Sequence, residues 1–336
     1  MLKCALVKQN LLKIDIFVYL GVGIMLIFEQ FKKCRRGIMK KIELSRKMFD
    51  VLTYIEKFDE KKSQREIADA IHTSVGTVNK VVSSLCELGL VADGKITDKG
   101  YKALEPYRVK KAIFIAAGFG SRLVPITLNT PKPLVRVNGT RMIDTLLDAV
   151  VAAGIEEIYL VRGYLGEQFD QLLYKYPNIK FIENPFYNEA NNISSAFLVR
   201  HLMQNAYVLE ADLVLSNPDI IQKYQYTSNY LGVPTDYTDD WCFETKNKVI
   251  TKVMIGGNDC HHMFGISYWN EEAGAKLYDD IKKVYEMPGG KERYWDQVEL
   301  EYCLDNYYVE VRECTFDDIV EIDRFADLKR LDPIYR

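Results

Sequence analysis

The sequence predicts an α/β protein: a doubly wound, mostly parallel sheet preceded by a small helix-turn-helix domain. Three observations predict it. After Pro106, short apolar runs at Lys111–Ala116, Ile158–Val161, Lys180–Ile182 and Tyr207–Leu209 alternate with helical patterns, the alternation a parallel sheet requires. Before Pro106, amphipathic segments follow one another at the spacing of a helix-turn-helix. The length of 336 residues, at roughly 150 per domain, favours two folded units.

Composition bounds the function. Apolar residues at 48% and charged residues at 27% make a chain that buries a core and is far from disordered extremes. Lys+Arg of 44 against Asp+Glu of 47, a net charge of -3, argues against a protein built mainly to coat nucleic acid. The charge is uneven: residues 1–38 hold 7 basic and 2 acidic groups, residues 39–107 hold 12 and 11, and residues 108–336 hold 25 and 34. Seven scattered cysteines without a C-x-x-C pair predict a reducing, cytoplasmic location. Cys260-His261-His262 has no second ligand pair at zinc-finger spacing, and packing is its plainer reading.

Residues 1–38 form an apolar and basic extension. The run Ile16–Phe28 is uninterrupted but shorter than the ~20 residues of a spanning helix. Lys32, Lys33, Arg35 and Arg36 follow it, a flank that suits a weak anchor at a membrane face rather than a signal peptide. Translation from Met39 is the alternative, and membrane contact is not expected of the remainder.

Residues 40–107 divide into helices and a hairpin. Met48, Phe49, Leu52, Ile55 and Phe58 recur at helical spacing. Ser63-Gln64-Arg65-Glu66 is a capping box that starts a second helix. His72-Thr73-Ser74 makes the turn, and Val78, Val81, Val82, Leu85 and Leu88 line a third helix. Leu90–Thr97, centred on Asp93-Gly94, reads as a tight hairpin before a last helix over Asp98–Leu104. The unit resembles a winged helix, in which the third helix enters the major groove of DNA and the hairpin lies over phosphates. Ser74, Thr77, Asn79, Lys80 and Ser83, with Lys95 on the hairpin, are the exposed candidates. Only two are cations, and DNA affinity rests largely on phosphate neutralisation, so a regulatory or dimerising module is the competing reading.

In residues 108–336 the first strand runs into Ala116-Ala117-Gly118-Phe119-Gly120-Ser121-Arg122. Glycines here let backbone N–H groups close around phosphate oxygens. Neither the dinucleotide-binding register nor a Gly-Lys-Ser/Thr ending is present. The stretch continues through Pro125, Thr127 and Pro131-Lys132-Pro133-Leu134-Val135. As a whole it resembles the signature of nucleotidyltransferases that join an NTP to a phosphorylated small molecule. The resemblance implies that Ala116, Ala117, Gly118, Gly120 and Ser121 wrap the triphosphate, that Arg122 neutralises the departing pyrophosphate, and that Lys132 stabilises the α-phosphate. Both charges suit the chemistry, because a phosphate monoester attacking an α-phosphorus brings anion to anion.

Leu209-Glu210-Ala211-Asp212 ends an apolar strand in an acid, where open α/β sheets place ligands. Asp212 is therefore read as the first Mg²⁺ ligand. The resemblance implies a second from the C-terminal Glu321-Ile322-Asp323, with Asp323 the choice; two carboxylates plus phosphate oxygens suit a hard cation.

Val161-Arg162-Gly163-Tyr164, Glu167-Gln168-Phe169, Tyr187, Asn191-Asn192 with Ser194-Ser195, and Tyr294-Trp295-Asp296 extend the resemblance to the bacterial CTP:phosphocholine cytidylyltransferases. It covers nearly all of residues 110–330 and not the winged helix, which those single-domain enzymes lack. Gly163, Tyr164 and Asn192 join the nucleotide-binding candidates. A quaternary ammonium cannot donate hydrogen bonds, so its site needs aromatic faces with nearby carboxylates. Asp239–Glu244 and Tyr294–Asp296 supply both, which makes Trp241, Tyr294 and Asp296 the acceptor-site candidates, with Asp296 open to contact either the ammonium or the metal. The expected substrates are CTP and phosphocholine, with phosphoethanolamine or a sugar 1-phosphate as alternative acceptors. A DNA-binding regulator with a nucleotide-sensing domain would instead be expected to lose Arg122, Lys132 or Asp212.

Overall fold

A computed structural model describes residues 42–58 and 60–336, so the expectations for residues 1–38 lie outside the described residues. No helix among the described residues is long and apolar enough to cross a membrane. The chain divides into two compact units, one ending at Ala103 and one spanning Leu104–Arg336.

In the first unit, α1 (Arg46–Lys57) is capped by Ser45 and buries Phe49, Val51, Leu52 and Ile55, the face its periodicity predicts. α2 (Gln64–Ala70) begins on the predicted capping box: Ser63 N–H donates to Glu66 over 2.8 Å and Glu66 N–H to the Ser63 hydroxyl over 3.2 Å. α3 (Val75–Glu87) packs through Val78 and Leu85. The strands β1 (Val91–Ala92) and β2 (Lys95–Ile96) form the wing, followed by α4 (Asp98–Leu104). Asn79, Lys80, Ser83 and Lys95 are exposed. Ser74 and Thr77 are engaged with each other across 2.9 Å, in the cap of α3.

The second unit is built on β3 (Lys111–Ala116). A short hairpin, β4 (Arg136–Val137) and β5 (Thr140–Arg141), leads into α5 (Met142–Ala152). Then come β6 (Glu157–Arg162), β7 (Ile179–Glu183), α6 (Ile193–Val199), β8 (Ala206–Glu210) and β9 (Leu213–Leu215). A long hairpin follows, β10 (Asn229–Lys246) and β11 (Val249–Trp269), and then α7 (Glu271–Tyr285), β12 (Glu310–Glu313), β13 (Ile319–Glu321) and α8 (Phe325–Leu331). The main sheet has the order β10-β12-β11-β8-β3-β6-β7. β3, β6, β7 and β8 are mutually parallel, and β11 runs antiparallel to β8.

The central strands are covered on both faces, which is why they read as continuous apolar runs. Ala112, Phe114 and Ala116 join α5 residues Ile143, Leu146 and Val150 on one side. Ile113 and Ile115 join Ile193, Ala196, Leu277 and Ile281 of α6 and α7 on the other. The carboxyl ends of β3, β6 and β8 share one sheet edge, so the loops that follow them converge.

β10 and β11 are absent from the sequence reading. Their polar residues and repeated register shifts, between Tyr230 and Leu231 and again from Thr238 to Thr245, break the period of two that identifies a strand. Cys260-His261-His262 belongs to this hairpin. Cys260 is buried, His262 Nδ1 stands 2.9 Å from the Thr238 hydroxyl, and His261 faces Glu313.

Candidate active site

Where β3 ends, the chain turns through Gly118 and Gly120. Gly120 has φ 62°, and a Cβ there would lie 2.8 Å from Cβ of Lys132 and 3.1 Å from the methyl of Thr127. Backbone conformation and space both call for glycine. Thr127 locks the turn by donating its hydroxyl to the Gly120 carbonyl over 2.9 Å. Tyr164 supports the loop from behind: its N–H donates to the Ala117 carbonyl over 3.1 Å, and its ring meets Phe119. Gly163 leaves space for the Tyr187 ring, which a Cβ would approach to 2.7 Å.

Lys132 reaches from the turn Lys132–Leu134 to the acids that follow β8 and β13. Its Nζ lies 2.7 Å from Asp212 and 3.3 Å from Asp323, and Arg122 pairs with Asp323 as well. Burial opposes the Lys132 charge, but the Asp212 and Asp323 carboxylates outweigh it and hold the ammonium above its ordinary range. The Arg122 side chain remains 60% exposed, free to turn toward a ligand. β13 pairs antiparallel with β9, and the Ile322 N–H donates to the Asp212 carbonyl over 3.2 Å. That pairing gathers Asp212, Glu321 and Asp323 so that one carboxylate oxygen from each lies within 4.8 Å of the others. Burial, then Asp212 and Asp323, push the Glu321 carboxyl up to about 8. Asp212 also keeps Oδ1 buried without a partner. An oxygen-only donor set with an orphaned buried oxygen fits a hard divalent cation.

The same cavity, which encloses about 650 Å³, is also lined by Trp241, Tyr294 and Asp296. The Trp241 and Tyr294 rings meet edge to face at 5.9 Å, forming an aromatic corner. Asn192 links the segment around Trp295 to Glu210. It accepts the Trp295 N–H over 2.8 Å and donates to Glu210 over 3.4 Å. Glu210 is pushed well above the usual carboxylate range by burial and then by Asp296 and Asp212, and Gly265 leaves the space its carboxylate occupies, since a Cβ would come within 2.2 Å. Cys242, Phe243 and Trp295, neighbours of the acceptor candidates in sequence, are buried in the core.

Ala116, Ala117, Gly118, Gly120, Ser121, Arg122, Lys132, Asn192, Asp212, Trp241, Tyr294, Asp296 and Asp323 thus face one cavity. Gly163 and Tyr164 stand behind its loop. Glu210 and Glu321 line the cavity too and were missed, although each sits two residues from a predicted metal ligand.

The nucleotidyl transferase family matches residues 111–231, and a winged helix-turn-helix DNA-binding family matches residues 44–92. The chain is 36% identical over 232 residues to a 2-aminoethylphosphonate cytidylyltransferase of Lancefieldella rimae, covering 67% of this chain and 92% of that protein. It is 32% identical over 228 residues to a choline-phosphate cytidylyltransferase of Streptococcus pneumoniae, covering 67% and 98%. The solved structure of the CTP:phosphocholine cytidylyltransferase from Streptococcus pneumoniae superimposes with a TM-score of 0.63 at 32% identity, over 68% of this chain and 100% of that one.

Proposed function

The chain belongs to the nucleotidyl transferase family as a cytidylyltransferase, and we propose that it joins CTP to the phosphate of a small cationic amine, phosphocholine foremost, releasing pyrophosphate. The observation that supports this reading is one cavity lined both by Arg122 and Lys132 and by the Trp241–Tyr294 corner with Asp296.

The Gly118–Ser121 backbone receives the triphosphate, and Lys132 and Arg122 exchange their carboxylate partners for phosphate oxygens. An acceptor phosphate oxygen then attacks the α-phosphorus in line, its P–O bond forming as the bond to pyrophosphate breaks. Lys132, buried and held in place, stabilises charge on the α-phosphate, and Arg122 turns from Asp323 to meet charge on the leaving group. Asp212, Asp323 and Glu321 would hold Mg²⁺, which would supply neutralisation of the phosphate charge when bound. The aromatic corner receives the trimethylammonium by cation–π attraction, with Asp296 offsetting its charge.

A second acceptor, 2-aminoethylphosphonate, is favoured by the buried carboxylates of Asp296 and Glu210, because a primary ammonium donates hydrogen bonds that such acceptors satisfy. Pyrophosphate release measured with CTP and each acceptor decides between them through the ratio of kcat/KM values. Turnover of a sugar 1-phosphate in preference to both would overturn the amine reading.

For the winged helix we propose duplex DNA binding through α3 and the wing, on the exposed Asn79, Lys80, Ser83 and Lys95. With so few cations, binding should weaken only shallowly with salt. The free thiols of Cys86, Cys242, Cys260, Cys303 and Cys314 favour a reducing cytoplasm as the site of the reaction.

A further inference from the structure

Behind Asp296 lies a buried arrangement that the reaction above does not use. The Tyr230 hydroxyl, on β10, is hydrogen-bonded to Asp296 Oδ1 and stands 2.9 Å from Glu299 Oε1. Tyr230 and Glu299 are fully buried. A phenol has one proton to donate, so two full hydrogen bonds to two carboxyl groups require one of those groups to act as the donor.

Glu299 is the one placed to do so. Its second oxygen, Oε2, is buried with no partner. A carboxylate oxygen left in that state would be a heavy uncompensated charge, whereas the carbonyl oxygen of a neutral acid is far cheaper to leave unpartnered. Asp296, in contrast, faces the cavity, where a cation can reach it. Burial raises both carboxyls, Glu299 well above its ordinary range and Asp296 only to about 6, in the same order.

We propose that Glu299, held as a neutral acid, donates to Tyr230, which in turn donates to Asp296, and that this relay fixes Asp296 as the anionic anchor for the cationic head of the acceptor. The inference rests on the amine-acceptor reading given above. Glu299 and Tyr230 are positioning residues: neither touches substrate, and both act through Asp296. The relay does two things for recognition. It occupies Asp296 Oδ1 and so limits how the carboxylate can rotate. It also keeps the net charge of the pair at one, which a single ammonium neutralises.

Two measurements test this, both on the full chain. In difference infrared spectra at neutral pH, the wild type should show a protonated-carboxyl band that Glu299→Gln removes; its absence overturns the proton placement. In steady-state kinetics, Tyr230→Phe and Glu299→Leu should each raise KM for phosphocholine or 2-aminoethylphosphonate roughly 10- to 100-fold, the cost of a lost bond to a charged group, with KM for CTP unmoved. Glu299→Gln, whose amide donates the same hydrogen bond, should restore the acceptor KM toward the wild-type value. A merely structural role predicts otherwise: Glu299→Leu would raise the melting temperature by removing a buried acid and leave the acceptor KM alone, and that result overturns the relay. Wild-type protein that turns over CTP with neither amine overturns the acceptor reading and the anchoring role with it. Normal amine turnover with an unmoved acceptor KM in folded variants overturns the relay alone.

Discussion

At Lys132, two carboxylates hold a charge that burial alone would suppress, and the reaction asks for that charge at the α-phosphate. Lys132→Ala and Arg122→Ala should therefore lower kcat and kcat/KM together, by about 10²–10³ for either residue, with smaller effects on CTP affinity; stopped assays of pyrophosphate release check it. Near-normal kcat in either variant would contradict the assigned role. Trp241→Ala should raise the acceptor KM roughly 2- to 30-fold and spare that for CTP, whereas equal damage to both substrates would make Trp241 a packing residue. Asp296 makes the site sensitive to pH. Its carboxyl is raised from 3.8 to about 6, by burial and against the opposing Tyr230 hydrogen bond. A raised acid favours folding while protonated, so that contribution is intact below its unfolded value and is lost as pH climbs from about 4 to about 6. Asp296→Asn should then gain melting temperature over the wild type above about pH 6, with the gap closing near pH 4. At the residue scale, the charges that stand in motifs were legible in the sequence. Glu321 and Glu210 were not: each looks like any solvated acid until β13 pairs with β9 and β8 takes its place in the sheet.

The elements explain how those residues meet. The loop after β3 works because Gly120 adopts φ 62° against the Lys132 side chain. Gly120→Ala should destabilise the domain by about 1–3 kcal/mol, displace Lys132, and cost activity beyond the loss of folded protein; thermal melts and kcat on the same sample separate the two effects. The strand β3 and this loop were legible in the sequence, since an apolar run entering a glycine turn has few other solutions. So were the capping box at Ser63 and Glu66 and the helices it divides. The hairpin β10–β11 was not. Its alternation is broken by register shifts, and its apolar residues divide between the core and the cavity. Trp241 was nonetheless picked out because its neighbours Asp239 and Asp240 gave it a chemical setting, while Trp295, in an equally suggestive setting, proved to be core. Local sequence cannot distinguish these two fates; they depend on which face of the hairpin or turn meets the sheet.

At the scale of the whole molecule, every group assigned to cytidylyl transfer lies within Leu104–Arg336. A chain beginning at Leu104 should retain kcat and both KM values within about 2-fold, since the first unit supplies none of these groups; a folded but inactive fragment would mean that the first unit contributes to the reaction. The central claim is cytidylyl transfer to a cationic amine. Its most direct measurement is to supply the purified protein with each of the four NTPs, Mg²⁺, and in turn phosphocholine, 2-aminoethylphosphonate and a sugar 1-phosphate, and to identify the nucleotide product by mass. The account predicts a CMP-linked amine product, formed from CTP and abolished by chelation of the metal. A product formed only with the sugar phosphate, or with an NTP other than CTP, would contradict it.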